Sequence, residues 1–393
     1  MEKSHPQILI TGINGFVGQS VAPFFVERGY DVVGAGRQEF RCDGVKFVPI
    51  SRIDHYTHWG EALKGIEVVI HLAGRAHRMK ESPEDHHLYY EVNLEGTINL
   101  AEQAIKAGVK KFVFISSIKA MISDAHEEPL TESFPCNPIE PYGLSKLKAE
   151  IELLKLSQNS DMKVVILRPP LIYGPGVKGN LASLIRLVRR LPVLPLGGIH
   201  NRRSLLGVKN LASAMETVIN SDIANGKTYL ITDGEEISTS ELVRRLSTVF
   251  NPDCRIITIP DWLWKVGEYI PLLQQKVVRL TGSLPVDSAL FKSALLNLMV
   301  NGIQAMPNGG TLTLSVNKQP GSAMVSISDT GTGISEENLS KLYSPFFTTK
   351  PEGMGMGLAI CRSVVENHRG RLSFEANPEG GTVFRILLPM IPQ

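Results

Sequence analysis

The chain has 393 residues, long enough for two or three domains, and its 43% apolar and 20% charged residues are those of ordinary soluble globular protein. A formal net charge of +2 gives no compositional case for a nucleic-acid partner or an anionic membrane surface. Cys42, Cys136, Cys254 and Cys361 are widely spaced and form no CxxC pair, against a structural zinc site or a disulfide framework. "MEKSHPQ" runs straight into a strand and no stretch reaches about 18 uninterrupted apolar residues, so the expectation is a cytoplasmic protein with no transmembrane segment.

In chain order, residues 7–14 are a short apolar run ending in a glycine turn, residues 16–28 have helical periodicity and "YDVVGAGR" is a second strand. Then come "IEVVIHLAG" (66–74), a helical "NLEGTINLAEQAIKAG", "KKFVFISS" and "KVVILRPP". Strands alternating with helices at this spacing predict an α/β fold: a Rossmann-type, doubly wound parallel sheet. From about residue 175 a Gly- and Pro-rich stretch suits a smaller substrate-covering lobe, and "IPDWLWKVGEYIPLL" (259–273) reads as core, with an interface or a membrane-surface contact as the alternatives. After a boundary at about 288–292 there is one helix, "ALFKSALLNLMVNGIQAM", then "TLTLSVN", "MVSISD", "RLSFEA" and "TVFRILLP", which alternate with period two as an antiparallel or mixed sheet with one covered face would. No flexible linker separates the parts.

"TGINGFVG" places Gly12, Gly15 and Gly18 between a strand and a helix. Gly12 permits the tight turn, Gly15 lets backbone approach a pyrophosphate, Gly18 lets helix and strand pack closely, and the helix N-terminus offers N–H groups to the anion. In "PYGLSKLKAE", Tyr142 and Lys146 stand four apart on one helix face, about 6 Å from each other. A phenol of pKa about 10 is a poor base at neutral pH, but an ammonium beside it and an oxidised nicotinamide above it both favour the phenolate. Tyr142 could then take a proton from a sugar hydroxyl as hydride leaves the same carbon. Ser117, at the C-terminal end of a parallel strand, could hydrogen-bond that oxygen.

Residues 1–288 resemble the extended short-chain dehydrogenases/reductases of the nucleotide-sugar epimerase/dehydratase branch, through "TGINGFVG", "IHLAG", "VNLEGT", "FISSIK", "YGLSK", "RPPLIYGPG" and "NRRSLLGVKNL" in that order. The nearest likeness is to O-antigen enzymes that reduce or epimerise C4 of UDP-sugars. The resemblance implies Ser117, Tyr142 and Lys146 as catalytic, Phe16 and Ala73 at the cofactor, Asn93 supporting the active-site helix, and Asn180 and Arg203 at the substrate. A guanidinium fork also matches phosphate oxygens on physical grounds, with Arg202 as the competitor for the diphosphate. The NAD-selecting carboxylate of the second strand is missing and Arg37 stands there, favouring NADP over NAD. Arg52 occupies the place of the usual adenine-side acid, with Asp54 two residues on. The family's closing stretch is absent at "LTGSLPVDSALF", so this lobe reads as C-terminally truncated. Relatives dimerise through a bundle containing the "YGLSKLKAE" helix, so a homodimer is the corresponding expectation.

Asn297 and Asn301 lie one helical turn apart, and an amide oxygen there can ligate the Mg²⁺ of a bound nucleotide; the metal position is assigned to Asn301. Asp329 could accept from an adenine amino group, with Gly331 and Gly333 clearing space for the ring. Gly353, Gly355 and Gly357 precede a helix whose N-terminus favours phosphate. Residues 292–393 resemble the histidine-kinase ATP-binding domain of the GHKL superfamily, an α/β sandwich: "NLMVNGIQA", "DTGTGI", "YSPFFTTK" and "GMGMGL" look like its N box, first glycine box, F box and second glycine box. This implies Mg-ATP binding. None of the ten histidines has the HExxxP context of a phosphoacceptor helix, and the strand that precedes the N-box helix is missing. The whole reads as two trimmed fragments joined: an NAD(P)-dependent UDP-sugar 4-ketoreductase or 4-epimerase with an ATP-binding module. The rival readings are a kinase-type signalling protein that senses a nucleotide sugar, and an inactive chimera.

Overall fold

The computed structural model describes residues 5–76, 83–123, 126, 129–259, 280–285, 298–299, 301–307, 309–319, 322–335, 338, 342, 358, 361–362, 365–366, 370–378 and 380–389. The predicted core segment beyond Ile259, Asn297, the "YSPFFTTK" box and Gly353, Gly355 and Gly357 lie outside them. The chain divides into two compact units, Met1–Asp287 and Ser288–Gln393.

The first unit begins with β1 (Ile8–Thr11), α1 (Phe16–Glu27), β2 (Val32–Gly36), β3 (Val45–Pro49), the short α2 (Gly60–Leu63) and β4 (Val68–His71). Next come α3 (His87–Tyr90), a π-helical turn at Glu91–Glu95, α4 (Gly96–Lys106), β5 (Lys111–Ile115), α5 (Pro141–Gln158) and β6 (Lys163–Arg168). With β10 (Thr228–Leu230), the strands form a seven-stranded sheet of order β10-β6-β5-β4-β1-β2-β3, parallel throughout. The order reverses between β1 and β4, the crevice where open α/β sheets place ligands.

All four β1 residues are buried, because a doubly covered parallel strand has no solvent face. Ile8 and Ile10 join Val21 and Phe25 of α1, while Leu9 joins Leu100 of α4 and Ala149 and Leu153 of α5 on the opposite face. Each of the Ile, Leu, Val and Phe side chains contributes about 1.5–3 kcal/mol on full burial. α5 opens with Pro141 in its first turn, where a missing N–H is harmless, and runs 18 residues, carrying Tyr142 and Lys146 to the sheet's ligand edge.

The stretch after β6 holds more strand than its Gly/Pro content predicts: β7 (Leu171–Tyr173), α6 (Gly179–Arg190), β8 (Val193–Gly197), β9 (Arg203–Gly207), α7 (Val208–Ile219), β10, β11 (Glu236–Ile237), α8 (Thr239–Phe250) and β12 (Arg255–Thr258). β11, β9 and β7 form one small sheet and β8 pairs with β12, over a satellite core of Val188, Leu194, Leu196, Ile199 and Val243.

In the second unit, residues 298–299 and 301–304 are helical and are followed by β13 (Leu312–Gln319), β14 (Ser322–Asp329), β15 (Arg371–Ala376) and β16 (Thr382–Pro389). The sheet is antiparallel, of order β13-β14-β16-β15. Val325, Ile327, Phe384 and Ile386 line one face against Leu298, Cys361 and Val365, the covered face that the period-two pattern predicts.

Candidate functional site

The glycine turn sits at the β1–α1 junction. Gly12 has φ +70°, and a Cβ on it would lie 2.8 Å from the backbone of Ala73. A Cβ on Gly18 would lie 2.6 Å from the Gly12 oxygen, so α1 is pressed against the turn that its own strand makes. Gly15 caps α1 with no side chain accepting from its first N–H groups, which leaves those donors and the positive helix end to an anion. These features fit a dinucleotide pyrophosphate. Phe16 is the first residue of α1, and Arg37 is exposed directly after β2.

Ser117 follows the end of β5, where Ser116 N–H donates to the Leu167 carbonyl at 2.8 Å and Ile118 N–H to that of Pro169 at 3.0 Å, fixing the chain between them. Its hydroxyl accepts from the Lys119 N–H at 3.2 Å and bonds the Tyr142 phenol. Burial pushes Tyr142 above the ordinary phenol range, and the Ser117 bond pulls the other way. Tyr89 meets the Tyr142 ring edge-on at 5.9 Å. Lys146 is buried, its Nζ donating to the Ile115 carbonyl at 2.9 Å above the Phe114 ring. Burial brings its pKa down to about 8, with Glu150 opposing. Thus Ser117 touches Tyr142, and Lys146 reaches the strand that carries Ser117. Beside them the buried Ser116 hydroxyl has no hydrogen-bond partner among the described residues.

Asn93 is fully buried. Its Oδ1 accepts from Arg75 N–H at 2.8 Å, and its Nδ2 donates to the Arg75 carbonyl and to Ser145 Oγ, each at 3.1 Å. Ser145 Oγ in turn donates to the Tyr142 carbonyl at 2.8 Å. Asn180 is exposed, second in α6. Of the two arginines, Arg202 is committed to a surface pair with Glu236 at 2.5 Å, whereas Arg203 is half-buried with Nε on the Gly282 carbonyl at 3.0 Å. Asp54 is consumed by its own turn: Oδ1 accepts from Tyr56 N–H and the Thr57 hydroxyl, and Oδ2 pairs with Arg52 at 2.6 Å. An open cavity of about 590 Å³ adjoins it, lined by Ser51, Arg52, Tyr56 and His58.

In the second unit Asp329 lies on the same strand face as Val325 and Ile327, at the end of β14, and is buried. Its Oδ1 accepts from Gly331 N–H at 2.9 Å and Thr382 N–H at 3.2 Å. A Cβ on Gly331 would lie 2.4 Å from the Ala305 carbonyl, one turn beyond Asn301, so the "DTG" turn is wedged against the end of the Asn301 helix. Gly333 has φ +69°. The holders of Asp329 were not singled out in the sequence: Thr382, Gly381, whose Cβ would lie 2.3 Å from the Asp329 carbonyl, and Asn377, which donates to that carbonyl at 2.7 Å. The signal was the "EGGT" turn before the last strand.

A doubly wound parallel sheet with a glycine turn after its first strand defines the Rossmann class of dinucleotide-binding proteins. Residues 8–232 match the family model of the NAD dependent epimerase/dehydratase family. Over 297 residues the chain is 39% identical to a UDP-glucose 4-epimerase of Vibrio cholerae, covering 75% of this chain and 90% of that relative. The chain belongs to the NAD-dependent epimerase/dehydratase family. A solved UDP-glucose 4-epimerase from Thermotoga maritima shares the fold, with TM-score 0.58 and 22% identity over 73% of this chain and 91% of that one. Residues 286–392 match the family model described as histidine kinase-, DNA gyrase B-, and HSP90-like ATPase. There the chain is 38% identical over 104 residues to sporulation kinase C of Bacillus subtilis (strain 168), which is 26% of this chain and only 24% of the kinase. Among the described residues no helix is long and apolar enough to cross a membrane.

Proposed function

We propose that the first unit interconverts the hydroxyl and keto states at C4 of a UDP-linked hexose, and that the second binds Mg-ATP. The observation that carries the first reading is the contact between Ser117 and the buried Tyr142 phenol, with Lys146 one helical turn on and the glycine turn two strands away. A bound nicotinamide dinucleotide supplies hydride acceptance and return. Ser117 holds the C4 oxygen, and Tyr142 takes the hydroxyl proton as the C4–H bond breaks or gives it back as that bond forms. Burial keeps Tyr142 protonated in the free protein, so the phenolate develops only when positive charge arrives above it. The turn of Gly12 and Gly15 holds the pyrophosphate, Gly18 lets α1 pack against that turn, Phe16 and Ala73 flank the dinucleotide, and Arg37 favours the 2′-phosphate of NADP. Arg203 holds the substrate diphosphate, with Asn180 at its rim. The V. cholerae relative favours epimerisation over net reduction.

The test is a panel of UDP-sugars with NAD⁺, NADP⁺ or NADPH. Isomerisation at C4 without net change in absorbance at the nicotinamide band identifies an epimerase, and stoichiometric loss of NADPH a reductase. Absence of both, with Tyr142→Phe indistinguishable from the parent chain, sinks the reading. For the second unit, the buried Asp329 beside the wedged glycine turn supports adenine recognition. Asn301 supplies an amide oxygen for Mg²⁺, Asn297 stands one helical turn away at the nucleotide, and Gly353, Gly355 and Gly357 supply the phosphate loop. Phosphate transfer to a separately supplied helical hairpin would extend this to signalling.

A further inference from the structure

Thr11 of β1 and His71 of β4 are register partners on adjacent parallel strands, so their side chains emerge together. Thr11 Oγ1 lies 2.7 Å from His71 Nδ1, and His71 Nε2 lies 2.9 Å from Thr97 Oγ1. The Ala73 N–H donates to Thr11 Oγ1 at 3.3 Å, and the Thr97 hydroxyl donates to the Asn93 carbonyl at 2.8 Å. His71, Thr11, Thr97 and Asn93 are all fully buried.

Counting protons fixes the direction of this chain. Thr97 has one hydroxyl hydrogen and gives it to Asn93, so it accepts from His71, and Nε2 carries the imidazole hydrogen. Nδ1 is then the acceptor for the Thr11 hydroxyl, whose oxygen is free to accept from Ala73. Every donor points the same way, from the glycine-turn strand to the active-site helix, with the imidazole neutral in one tautomer. Burial, with the Lys146 charge as the lesser cause, takes the His71 pKa down to about 3, so the imidazole stays neutral at any working pH.

The far end of the chain meets a π-helical turn. Asn93 sits in the π-helical turn Glu91–Glu95, where Gly96 N–H reaches back five residues to the Glu91 carbonyl. Its side chain grips Arg75 and, through Ser145, the turn of α5 that carries Tyr142. Packing leaves little slack, since a Cβ on Gly74 would lie 2.9 Å from Asn93 Oδ1 and 3.4 Å from Lys146 Nζ.

We propose that His71 is a positioning residue whose two ring nitrogens separately brace the dinucleotide turn, through Thr11, and the Tyr142 helix, through Thr97 and Asn93. The proposal rests on the oxidoreductase reading above. The two halves can be cut independently. His71→Asn retains an acceptor near Nδ1 and has nothing at Nε2, whereas His71→Gln reaches the Nε2 position and loses the Thr11 bond.

The expected result is a split: His71→Asn lowers kcat about tenfold with dinucleotide Kd held within about twofold, and His71→Gln raises dinucleotide Kd about tenfold with kcat less affected, as loss of one buried hydrogen bond implies. Thr97→Val, which leaves the imidazole in place, should copy His71→Asn, and Thr97→Ser should restore kcat; this pair decides the matter if a His71 variant fails to fold. Should the parent chain turn over no UDP-sugar, the oxidoreductase reading falls separately. The split is then read from dinucleotide Kd against the Tyr142 ionisation midpoint, obtained as the ultraviolet difference from Tyr142→Phe. Equal effects of both substitutions on both quantities, or lowered Tm alone, would overturn the proposal.

Discussion

Arg168 at the end of β6 holds Glu150 of α5 with Nε at 3.0 and 3.2 Å from the two carboxylate oxygens and a terminal nitrogen at 2.5 Å, the side chains being 8% and 3% exposed. Burial works against the guanidinium, but hydrogen bonds and charge from Glu150 outweigh it and hold Arg168 above its ordinary pKa. A pair this dry is worth little against an apolar replacement and a great deal against half of itself. Glu150→Gln should therefore lower stability by about 3–5 kcal/mol in urea unfolding, while Glu150→Leu combined with Arg168→Met recovers most of that loss. A single-variant loss below about 1 kcal/mol would contradict the arrangement.

Lys146 should titrate near pH 8, well below a free lysine, because burial disfavours its charge. The sign follows from burial: the folded state binds fewer protons than the unfolded state between about 8 and 10.5, so stability from this group rises with pH across that window. The ammonium is lost over the same range, so any support it gives the Tyr142 phenolate fades above about pH 8. Because Glu150 props the charge up, Glu150→Gln should move the midpoint lower still. Nitrogen-resolved NMR of the lysine side chains reads both midpoints, and an unshifted Lys146 would refute the account.

Most of the first unit's sheet was legible because its strands are apolar runs alternating with helical periods: β1, β2, β4, β5 and β6 fall where "ILIT", "VVGAG", "VVIH", "KFVFI" and "KVVILR" stand, whereas β3 follows β2 with no helix between them. The small lobe was not. β8 lies in the stretch that reads as Gly- and Pro-rich, and its partner β12 is far along the chain, Val193 pairing with Arg255, so the pairing leaves no local signature. Tyr142, Lys146 and Ser117 were visible as a spaced motif. His71 was visible only as a letter in "IHLAG", because its meaning lies in Thr11 and Thr97, which register and the π-helical turn bring to it. Asp329 continues the period-two face of Val325 and Ile327, so its inward direction was readable although its backbone donors were not.

Lys111 opens β5 with its ammonium buried against the C-terminal end of α7, donating to the carbonyls of Val218, Ile219 and Ser221 at 3.1, 2.9 and 3.0 Å. Burial draws its pKa down, against the pull of Asp222. Lys111→Met keeps the stem and removes the ammonium that these three carbonyls share, so α7 should fray. Expected are a stability loss of about 1–3 kcal/mol and faster amide exchange confined to the last turn of α7. Unchanged exchange there would mean that water replaces the ammonium without penalty.

Asp329 makes a sharper test of the second unit. Its Oδ1 already serves two backbone N–H groups, so Asp329→Asn can keep that oxygen in place and the turn intact while replacing the other oxygen by an amide donor. A carboxylate needed to accept from an adenine amino group is thereby lost without loss of fold. Calorimetric titration with Mg-ATP should show affinity weakened about tenfold or more, with Tm shifted little. Gly381→Ala should instead lower affinity and Tm together, because φ is +90° and the new Cβ would lie 2.3–2.5 Å from Asp329 and Gly331 and displace the carboxylate with its turn. If Asp329→Asn binds Mg-ATP as the parent chain does, the buried carboxylate is a structural clasp for the "DTG" turn, and adenine recognition must be sought elsewhere in this unit.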